Sequence, residues 1–259
     1  MTALLEINGL TKKFGGLTAV GDASFKVNDK EILSVIGPNG AGKSTLFKLI
    51  SSFLRPTHGE VRFNGERISG LAPHIVARKG VVRTFQETTI FKDMTARQNV
   101  VVAHHLQSKA SLLGHYAGTL TARRDEIDFH ESAAEILEYL GLGHVQNEVA
   151  RNLPHGYLRA LGIAIGLAAK PQVLLLDEPF AGMNHDETMK AVEMVRGVRD
   201  RGITILLVEH DMKAVMKISD RIVVLNFGQM IAEGTPAEIQ SNERVIEAYL
   251  GREDQEIGI

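Results

Sequence analysis

Several features are missing from this 259-residue sequence. It contains no cysteine, which excludes disulfides and thiolate metal sites and permits a reducing compartment without requiring one. Neither sign of charge dominates, because 29 Lys and Arg stand against 31 Asp and Glu, so no general nucleic-acid surface is indicated. The longest apolar stretch, 161–169, is far shorter than the roughly 20 residues of a membrane-spanning helix. Any role at a membrane would therefore require a partner.

The remaining composition is ordinary for a globular protein. Apolar residues make up 44 % of the chain and charged residues 23 %, and the length suits one large or two small domains. Residues 1–7 lack a basic segment followed by an apolar one, so no signal peptide is expected. Function must therefore be sought in motifs.

The dominant motif is a glycine-rich stretch that fits G-x-x-x-x-G-K-[ST], the phosphate-binding P-loop. A predicted strand at 32–36 precedes it and a predicted helix at 45–53 follows. Its glycines allow a concave ring of N–H groups, to which the helix start adds its positive end. Lys43 can reach the β- and γ-phosphates, and the Ser44 hydroxyl can ligate Mg²⁺. The predicted nucleotide-binding residues here are Gly37, Pro38, Asn39, Gly40, Ala41, Gly42, Lys43, Ser44 and Thr45.

A second motif is the apolar run 173–176, which ends in Asp177 and Glu178. The run predicts a strand buried on both faces, and ligands of open α/β sheets bind at the carboxyl ends of such strands. We expect Asp177 to hold Mg²⁺, directly or through water, and Glu178 to polarise the water that attacks the γ-phosphate. Adjacent strand residues point to opposite faces, so the two side chains can contact different groups, Mg²⁺ and the attacking water.

Strands that alternate with helices predict a largely parallel sheet, and an initial run of strands predicts a separate antiparallel element. The predicted strands are 4–7, 19–27, 31–36, 60–64, 81–86, 173–176, 204–208, 222–226 and 230–233. The predicted helices after the P-loop are 95–106, 127–140, 157–169, 188–200, 212–218, 236–240 and 244–250. Residues 107–126 read as polar and irregular. The histidines of this middle region lack metal-ligand spacing and are expected on the surface: His104, His105, His115, His130 and His144.

The order and spacing of these motifs resemble the ATP-binding subunits of ABC transporters over residues 4–250. The residues that carry this resemblance are Gly37 to Thr45, Gln86, Asp177-Glu178-Pro179 and Val208-Glu209-His210-Asp211. A closer resemblance is to the ATPases of branched-chain amino acid importers, in Phe14-Gly15-Gly16-Leu17-Thr18-Ala19-Val20, Arg83-Thr84-Phe85-Gln86, Glu209-His210-Asp211-Met212 and Ala248-Tyr249-Leu250-Gly251. The resemblance implies an α/β P-loop ATPase core (1–87 and 170–259) with an N-terminal antiparallel β region and an inserted helical subdomain (88–169), all in one domain.

The resemblance also implies further site residues. Phe14 matches an aromatic that stacks on adenine, although a core or loop phenylalanine is the alternative. Val20, the last residue of the stretch that begins at Phe14, is also expected to bind the nucleotide. Gln86 matches a residue that contacts Mg²⁺ and the attacking water and senses the membrane partner. His210 matches a histidine that hydrogen-bonds the γ-phosphate, which a neutral imidazole can do while accepting at its other nitrogen.

The sequence departs from the family at the signature, normally Leu-Ser-Gly-Gly-Gln at a helix start. Here it reads Leu153-Pro154-His155-Gly156-Tyr157, and Pro154, His155 and Gly156 are the residues expected near the nucleotide of the opposite subunit. Either the Gly156 N–H and the helix dipole still cap the phosphate, or this half-site is weakened and His155 supplies a substitute donor. In the second case, Pro154→Ser with His155→Gly would raise the ATPase rate of the assembled complex. A further departure is Asn184, where an aspartate is usual.

The implied function is an ATPase subunit that binds ATP and Mg²⁺ between two head-to-tail copies, identical or related. Hydrolysis would drive an integral membrane permease, for import of a branched-chain amino acid or related small solute delivered by a solute-binding protein. Residues near Gln86 and in 88–95 would meet the permease, at the cytoplasmic face of the inner membrane and without nucleic acid. The alternatives are an ABC ATPase without a transport role, and the ATPase of an exporter or lipid transporter.

Overall fold

The structure is a computed structural model that describes residues 3–84, 90–108, 110–111 and 116–250. Gln86 and His115 therefore lie outside the described residues, as do the end of the predicted strand 81–86 and the first part of 88–95. Within the described ranges, no helix is long and apolar enough to cross a membrane.

Strands and helices follow the predicted order. The strands are β1 (Ala3–Phe14), β2 (Leu17–Asn28), β3 (Ile32–Ile36), β4 (His58–Phe63), β5 (Glu66–Arg67), β6 (Val81–Arg83), β7 (Val173–Asp177), β8 (Thr204–Val208), β9 (Arg221–Asn226) and β10 (Gln229–Gly234). The helices are α1 (Lys43–Ile50), α2 (Pro73–Lys79), α3 (Ala96–His104), α4 (Leu120–Tyr139), α5 (His155–Ala168), α6 (His185–Asp200), α7 (Met212–Ile218), α8 (Pro236–Gln240) and α9 (Glu243–Leu250).

Two sheets form the framework. The larger has the order β10-β9-β3-β8-β7-β6, in which the pairs from β9 to β6 are parallel and β10 is antiparallel to β9. The smaller sheet, β2-β1-β4-β5, is antiparallel throughout. The predicted fold class, a P-loop α/β core with an N-terminal antiparallel region and inserted helices, is confirmed.

The larger sheet is buried on both faces, as β7 shows. Val173 and Leu175 pack into a core with α1 and the antiparallel sheet, whereas Leu174 and Leu176 pack into a second core with α3, α4, α5 and α6. This alternation follows from the two-residue period of a strand. Because both faces are covered, the carboxyl edge of the sheet is where β3, β7 and β8 can offer polar groups.

One prediction on local structure is wrong, and one helix was missed. Helix α4 starts at Leu120, inside the region expected to be irregular, and Thr119 caps it by accepting from the Ala122 N–H. Leu120 and Ile127 are exposed, so the first turns of α4 lack the apolar periodicity that predicts a helix. The short helix α2, which begins at Pro73, was not predicted at all.

His104 corrects the expectation that the histidines of the middle region lie on the surface. Its side chain is buried and its ring stacks on Phe129, with 5.4 Å between the centroids and 7° between the planes. Burial lowers the pKa of His104 to about 4, with a smaller contribution from the Lys170 charge and an opposing hydrogen bond with the backbone of Ala168. His105 and His144 are exposed, as expected.

Candidate functional site

The P-loop, the Asp177–Glu178 pair and His210 lie at one edge of the larger sheet. β3, β8 and β7 are successive neighbours and run parallel. The P-loop follows β3, His210 comes two residues after β8, and Asp177 is the last residue of β7. The topology therefore brings together three motifs that are far apart in the sequence.

The P-loop glycines are required by backbone geometry. Gly37 and Gly42 have φ values of 149° and 102°, and Gly40 has 79°. A Cβ atom at Gly37 would lie 2.0 Å from the Leu225 carbonyl oxygen, and one at Gly42 would lie 2.3 Å from that of Ala19. Any side chain at Gly37 or Gly42 would therefore displace a neighbouring strand.

Lys43 is buried and folds back over its own loop. Its Nζ donates to the carbonyl oxygens of Gly37 at 2.6 Å and Pro38 at 3.0 Å. Helix α1 begins here behind Gly42, with no side-chain cap and no acidic residue in its first turn. The positive end of the helix is thus left available to an anion. Ser44 is exposed in the same turn.

Asp177 forms a buried ion pair with Arg83, the last residue of β6. Arg83 Nη2 donates to Asp177 Oδ2 at 2.6 Å, and the two side chains are 7 % and 6 % exposed. Removing either residue would leave an uncompensated charge at this depth, which is strongly destabilising. The predicted metal ligand is therefore held at the sheet edge by a neighbouring strand.

Glu178 has an unusual backbone conformation. Its φ is 51°, in the left-handed region that residues other than glycine rarely adopt. Its N–H donates to the Val208 carbonyl oxygen at 2.9 Å, and its own carbonyl accepts from the Ala181 N–H at 3.3 Å. Such strain persists only where the surroundings determine it, and it clusters at functional sites. β8 thus fixes the position from which the Glu178 carboxylate projects.

Glu209 lies between Glu178 and His210 and is 1 % exposed. Its Oε1 accepts from the Phe180 N–H at 2.7 Å, and its Oε2 accepts from the N–H groups of His210 at 3.0 Å and Asp211 at 3.5 Å. Burial raises the pKa of Glu209, and these backbone donors oppose the rise. The His210 side chain itself is 61 % exposed, with Nδ1 3.7 Å from Glu209 Oε2.

The C-terminal helix α9 contacts the start of the P-loop through Tyr249. The Tyr249 ring packs against a small core that contains Ile36, the last residue of β3. Burial raises the pKa of the Tyr249 phenol to about 12, against the effect of a hydrogen bond with the backbone of Gly37. A residue more than 200 positions away in sequence therefore contacts the first glycine of the loop.

The two remaining nucleotide-binding predictions in the N-terminal region differ in accessibility. Phe14 ends β1 and is 48 % exposed, with Lys12 Nζ 5.1 Å from its ring centroid. An exposed ring of this kind can stack on a base. Val20 is fully buried, and a Cβ at Gly42 would lie 3.5 Å from its Cγ2. Val20 is thus packed beside Gly42 of the P-loop.

The altered signature begins helix α5. Pro154 is the N-cap residue and offers no side-chain cap, and no acidic residue lies in the first turn. A Cβ atom at Gly156 would meet nothing within 4 Å, whereas the His155 ring lies 3.1 Å from where a Cβ of Gly182 would be. Pro154, His155 and Gly156 therefore form an uncapped helix start in the helical region, with His155 packed on the turn that contains Gly182.

Asn184, which stands where an aspartate is usual, caps α6. Its side chain accepts from the Glu187 N–H at 3.0 Å, and the Glu187 carboxylate accepts from the Asn184 N–H at 2.9 Å. This reciprocal capping box needs a short side-chain oxygen, which asparagine supplies as well as aspartate does.

Sequence reasoning gave no role to Arg83, Glu209 or Tyr249. Each contacts the site through a partner that is distant in sequence: Arg83 and Asp177 are 94 positions apart, and Glu209 and Phe180 are 29 apart. The available signal was the presence of charged residues at or just after apolar strands, because buried charges need partners. That signal indicates a partner without identifying it.

The chain matches the models of two known protein families. The profile described as "ABC transporter" matches residues 20–181. The profile described as "Branched-chain amino acid ATP-binding cassette transporter" matches residues 229–255. The first match covers the P-loop, the altered signature and the Asp177–Glu178 pair, and the second covers the segment that contains Tyr249.

Individual relatives are similar over nearly the whole chain. The high-affinity branched-chain amino acid transport ATP-binding protein BraF of Pseudomonas aeruginosa is 47 % identical over 249 residues, which cover 96 % of this chain and 98 % of BraF. The corresponding protein LivG of Escherichia coli is 45 % identical over the same shares. The solved ADP conformation of MJ1267, an ATP-binding cassette of an ABC transporter, has a TM-score of 0.85 and 31 % identity, covering 97 % of this chain and 100 % of MJ1267.

Proposed function

The chain belongs to the ABC transporter family, and from that premise we propose that it powers a membrane importer of branched-chain amino acids or a related small solute. Members of this family bind and hydrolyse ATP, and this chain is such an ATPase. The observation that carries the proposal is the convergence of the P-loop, Asp177–Glu178 and His210 at the ends of three adjacent strands. The identity to BraF over nearly its full length supports the choice of solute.

The residues of the site fit Mg²⁺ bound together with ATP. Among the described residues, no three His, Cys, Asp or Glu side chains are grouped to hold a metal alone. Ser44 and Asp177 supply one hydroxyl and one carboxylate, which suits an ion that keeps several waters and shares phosphate oxygens. Bound there, Mg²⁺ would neutralise phosphate charge. Lys43 and the N–H groups of the P-loop would hold the β- and γ-phosphates.

Two residues would act on the attacking water and the γ-phosphate. We assign Glu178 as the group that orients and polarises the water, because its backbone is fixed against β8 and its side chain is partly exposed. His210 would donate a hydrogen bond to the γ-phosphate from an exposed ring. Gln86 remains assigned to Mg²⁺ and water from the sequence alone.

The signature supports a site shared by two subunits. The start of α5 belongs to the helical region and has neither a side-chain cap nor an acidic residue in its first turn, so its N–H groups suit an anion. In a head-to-tail pair it would bind the γ-phosphate held by the P-loop of a second, identical or related ATPase.

An apolar groove offers a surface for the membrane permease. It has a volume of about 710 Å³ and lies between α2 and β6 on one side and α3 and α5 on the other. Phe53 and Val102 line it and are exposed. A helix of the permease could bury them there, which would place this chain at the cytoplasmic face of the inner membrane.

Purification of the chain from its native membranes, followed by mass spectrometry, tests the proposal. We expect an apolar permease of many helices and an ATPase partner, with a solute-binding protein acting on the complex from outside. Vesicles containing this complex should take up leucine when loaded with ATP, and a complex with Glu178→Gln should not. Recovery without membrane proteins, or with nucleic-acid machinery, would favour a non-transport ATPase, and outward movement of solute or lipid would favour an exporter.

A further inference from the structure

We propose that Glu209 is a positioning residue that sets the distance between Glu178 and His210. The inference rests on the proposed function, in which those two residues act on the same γ-phosphate. It concerns a side chain that has no direct access to the nucleotide, because Glu209 is 1 % exposed.

The geometry of the carboxylate supports this role. One oxygen, Oε1, accepts from the Phe180 N–H at 2.7 Å, in the turn that follows Glu178. The other, Oε2, accepts from the His210 N–H at 3.0 Å. A single rigid carboxylate therefore connects the turn that carries Glu178 with the turn that carries His210.

A second hydrogen bond also joins the Glu178 turn to the end of β8. The Glu178 N–H donates to the Val208 carbonyl oxygen at 2.9 Å, one residue before Glu209. The strained backbone of Glu178, with φ of 51°, is therefore held on both sides by the end of β8. Loss of the Glu209 bonds would release one of these two restraints and let the Glu178 turn relax.

A carboxylate is needed because three backbone N–H groups converge on it, from Phe180, His210 and Asp211. In Glu209→Gln, one acceptor oxygen becomes an NH₂ group, which would face N–H donors without bonding to them. Whichever way the amide is turned, one of the two turns loses its partner. Glu209→Asp keeps both oxygens but is one methylene shorter and cannot reach both turns.

The test compares steady-state ATP hydrolysis by the wild-type complex and its variants. We expect Glu209→Gln and Glu209→Asp to lower kcat by on the order of 10- to 100-fold, because small displacements of reacting groups have effects of that size, while KM for ATP stays within about twofold. The matched control is Glu31→Gln. Glu31 is also a buried carboxylate that accepts from a backbone N–H, that of Asn28 at 2.7 Å, but it pairs with Arg221 away from the site.

Hydrogen exchange provides a readout that does not depend on activity. At least one of the Phe180 and His210 amides, the one that faces the new NH₂ group, should exchange faster in Glu209→Gln, while those of β3 keep their wild-type rates. Unchanged kcat in both Glu209 variants, or a kcat loss matched by Glu31→Gln, would overturn the inference and leave the proposed function intact. A wild-type complex that does not hydrolyse ATP would instead contradict the proposed function, whatever the exchange rates are.

Discussion

At the scale of single residues, the site depends on charges and backbone conformations that the surroundings impose. Lys43 is bound by loop carbonyls, Asp177 is paired with Arg83, and Glu178 is strained. Each of these arrangements costs free energy that other contacts must offset. Mutations at these positions should therefore change either the rate of ATP hydrolysis or the free energy of unfolding, depending on the contact that is lost.

Glu178→Gln should abolish turnover and preserve binding. The amide keeps the shape of the side chain but cannot take a proton, so kcat should fall by about 100-fold or more while ATP affinity stays near wild type. Equilibrium binding of ATP and steady-state hydrolysis would be measured on the same preparation. Glu193→Gln, an exposed carboxylate on α6, is the control and should change neither quantity. Hydrolysis by Glu178→Gln at more than a tenth of the wild-type rate would contradict this role.

Arg83→Met should destabilise the protein strongly, because it leaves the buried Asp177 carboxylate without its cationic partner. We expect a loss of about 3–5 kcal/mol in the free energy of unfolding, measured in urea. Adding Asp177→Asn should recover part of this loss, because the uncompensated charge disappears. The exposed pair Arg151–Asp93, at 2.8 Å, is the comparison, and Arg151→Met should cost less than about 1 kcal/mol. Equal losses for the two arginine variants would show that burial of the pair does not matter.

The sequence indicates candidate residues where a motif is contiguous, but it does not reveal contacts between residues that are distant in the chain. The P-loop and the Asp177–Glu178 pair could be read directly, because chemistry and chain order coincide there. Glu209 could not, because its partner Phe180 is on another strand's turn. Gly166 shows the same limit: a Cβ there would lie 2.8 Å from Leu174 of β7, a close approach that no local pattern reports.

At the scale of elements, prediction succeeded where burial gave a clear pattern. β8 (Thr204–Val208) and α7 (Met212–Ile218) have the predicted bounds, since a continuous apolar run precedes a helix capped by Asp211. α4 was placed seven residues too late because its first turns are exposed. Amphipathic periodicity identifies only those helical turns that contact a core.

The helical region should lose stability in acid because of His104. Its pKa of about 4 is below the ordinary value of 6.5, so the folded state binds this proton less readily than the unfolded state does. The stabilisation is therefore complete above pH 6.5 and is lost as the pH falls toward 4, by at most about 1.4 kcal/mol per pH unit. His104→Phe keeps the stacking on Phe129 and should flatten this dependence in urea titrations at several pH values. His130→Gln removes a more exposed histidine as the control, and parallel curves for wild type and His104→Phe would refute the assignment.

The altered signature should still bind the γ-phosphate of the nucleotide held by the opposite subunit. The α5 start is uncapped, Gly156 is retained, and His155 packs on Gly182 of its own chain. We therefore expect Pro154→Ser with His155→Gly to leave the ATPase rate of the assembled complex within about twofold of wild type, because helix N–H groups supply the main contact. His155→Gly alone is the control for lost packing. A several-fold rise in the double variant would instead show that the natural signature weakens the half-site.

At the scale of the whole molecule, the proposed function divides each nucleotide site between two chains. The P-loop and Glu178 lie at the edge of the larger sheet, and the signature lies at the start of α5. Under this proposal, two copies in head-to-tail contact would complete both sites at once, and a closed pair would be the functional unit. The sequence implied this arrangement only through the family it resembles, because no pattern within one chain reports a contact with a second copy.

Mixing two inactive variants tests this arrangement. Lys43→Ala removes the lysine proposed to bind phosphate and keeps the signature, whereas Gly156→Asp keeps the P-loop and puts a negative charge where phosphate would bind. The fold should tolerate Gly156→Asp, because a Cβ there meets nothing within 4 Å and an acidic residue suits a helix start. In a mixed pair, one site has both defects and the other has none. An equal mixture should therefore regain hydrolysis on the order of a quarter of wild type, while each variant alone stays inactive. No recovery would mean that the site forms within one chain or with a different ATPase, and the subunits that copurify from native membranes distinguish these two cases.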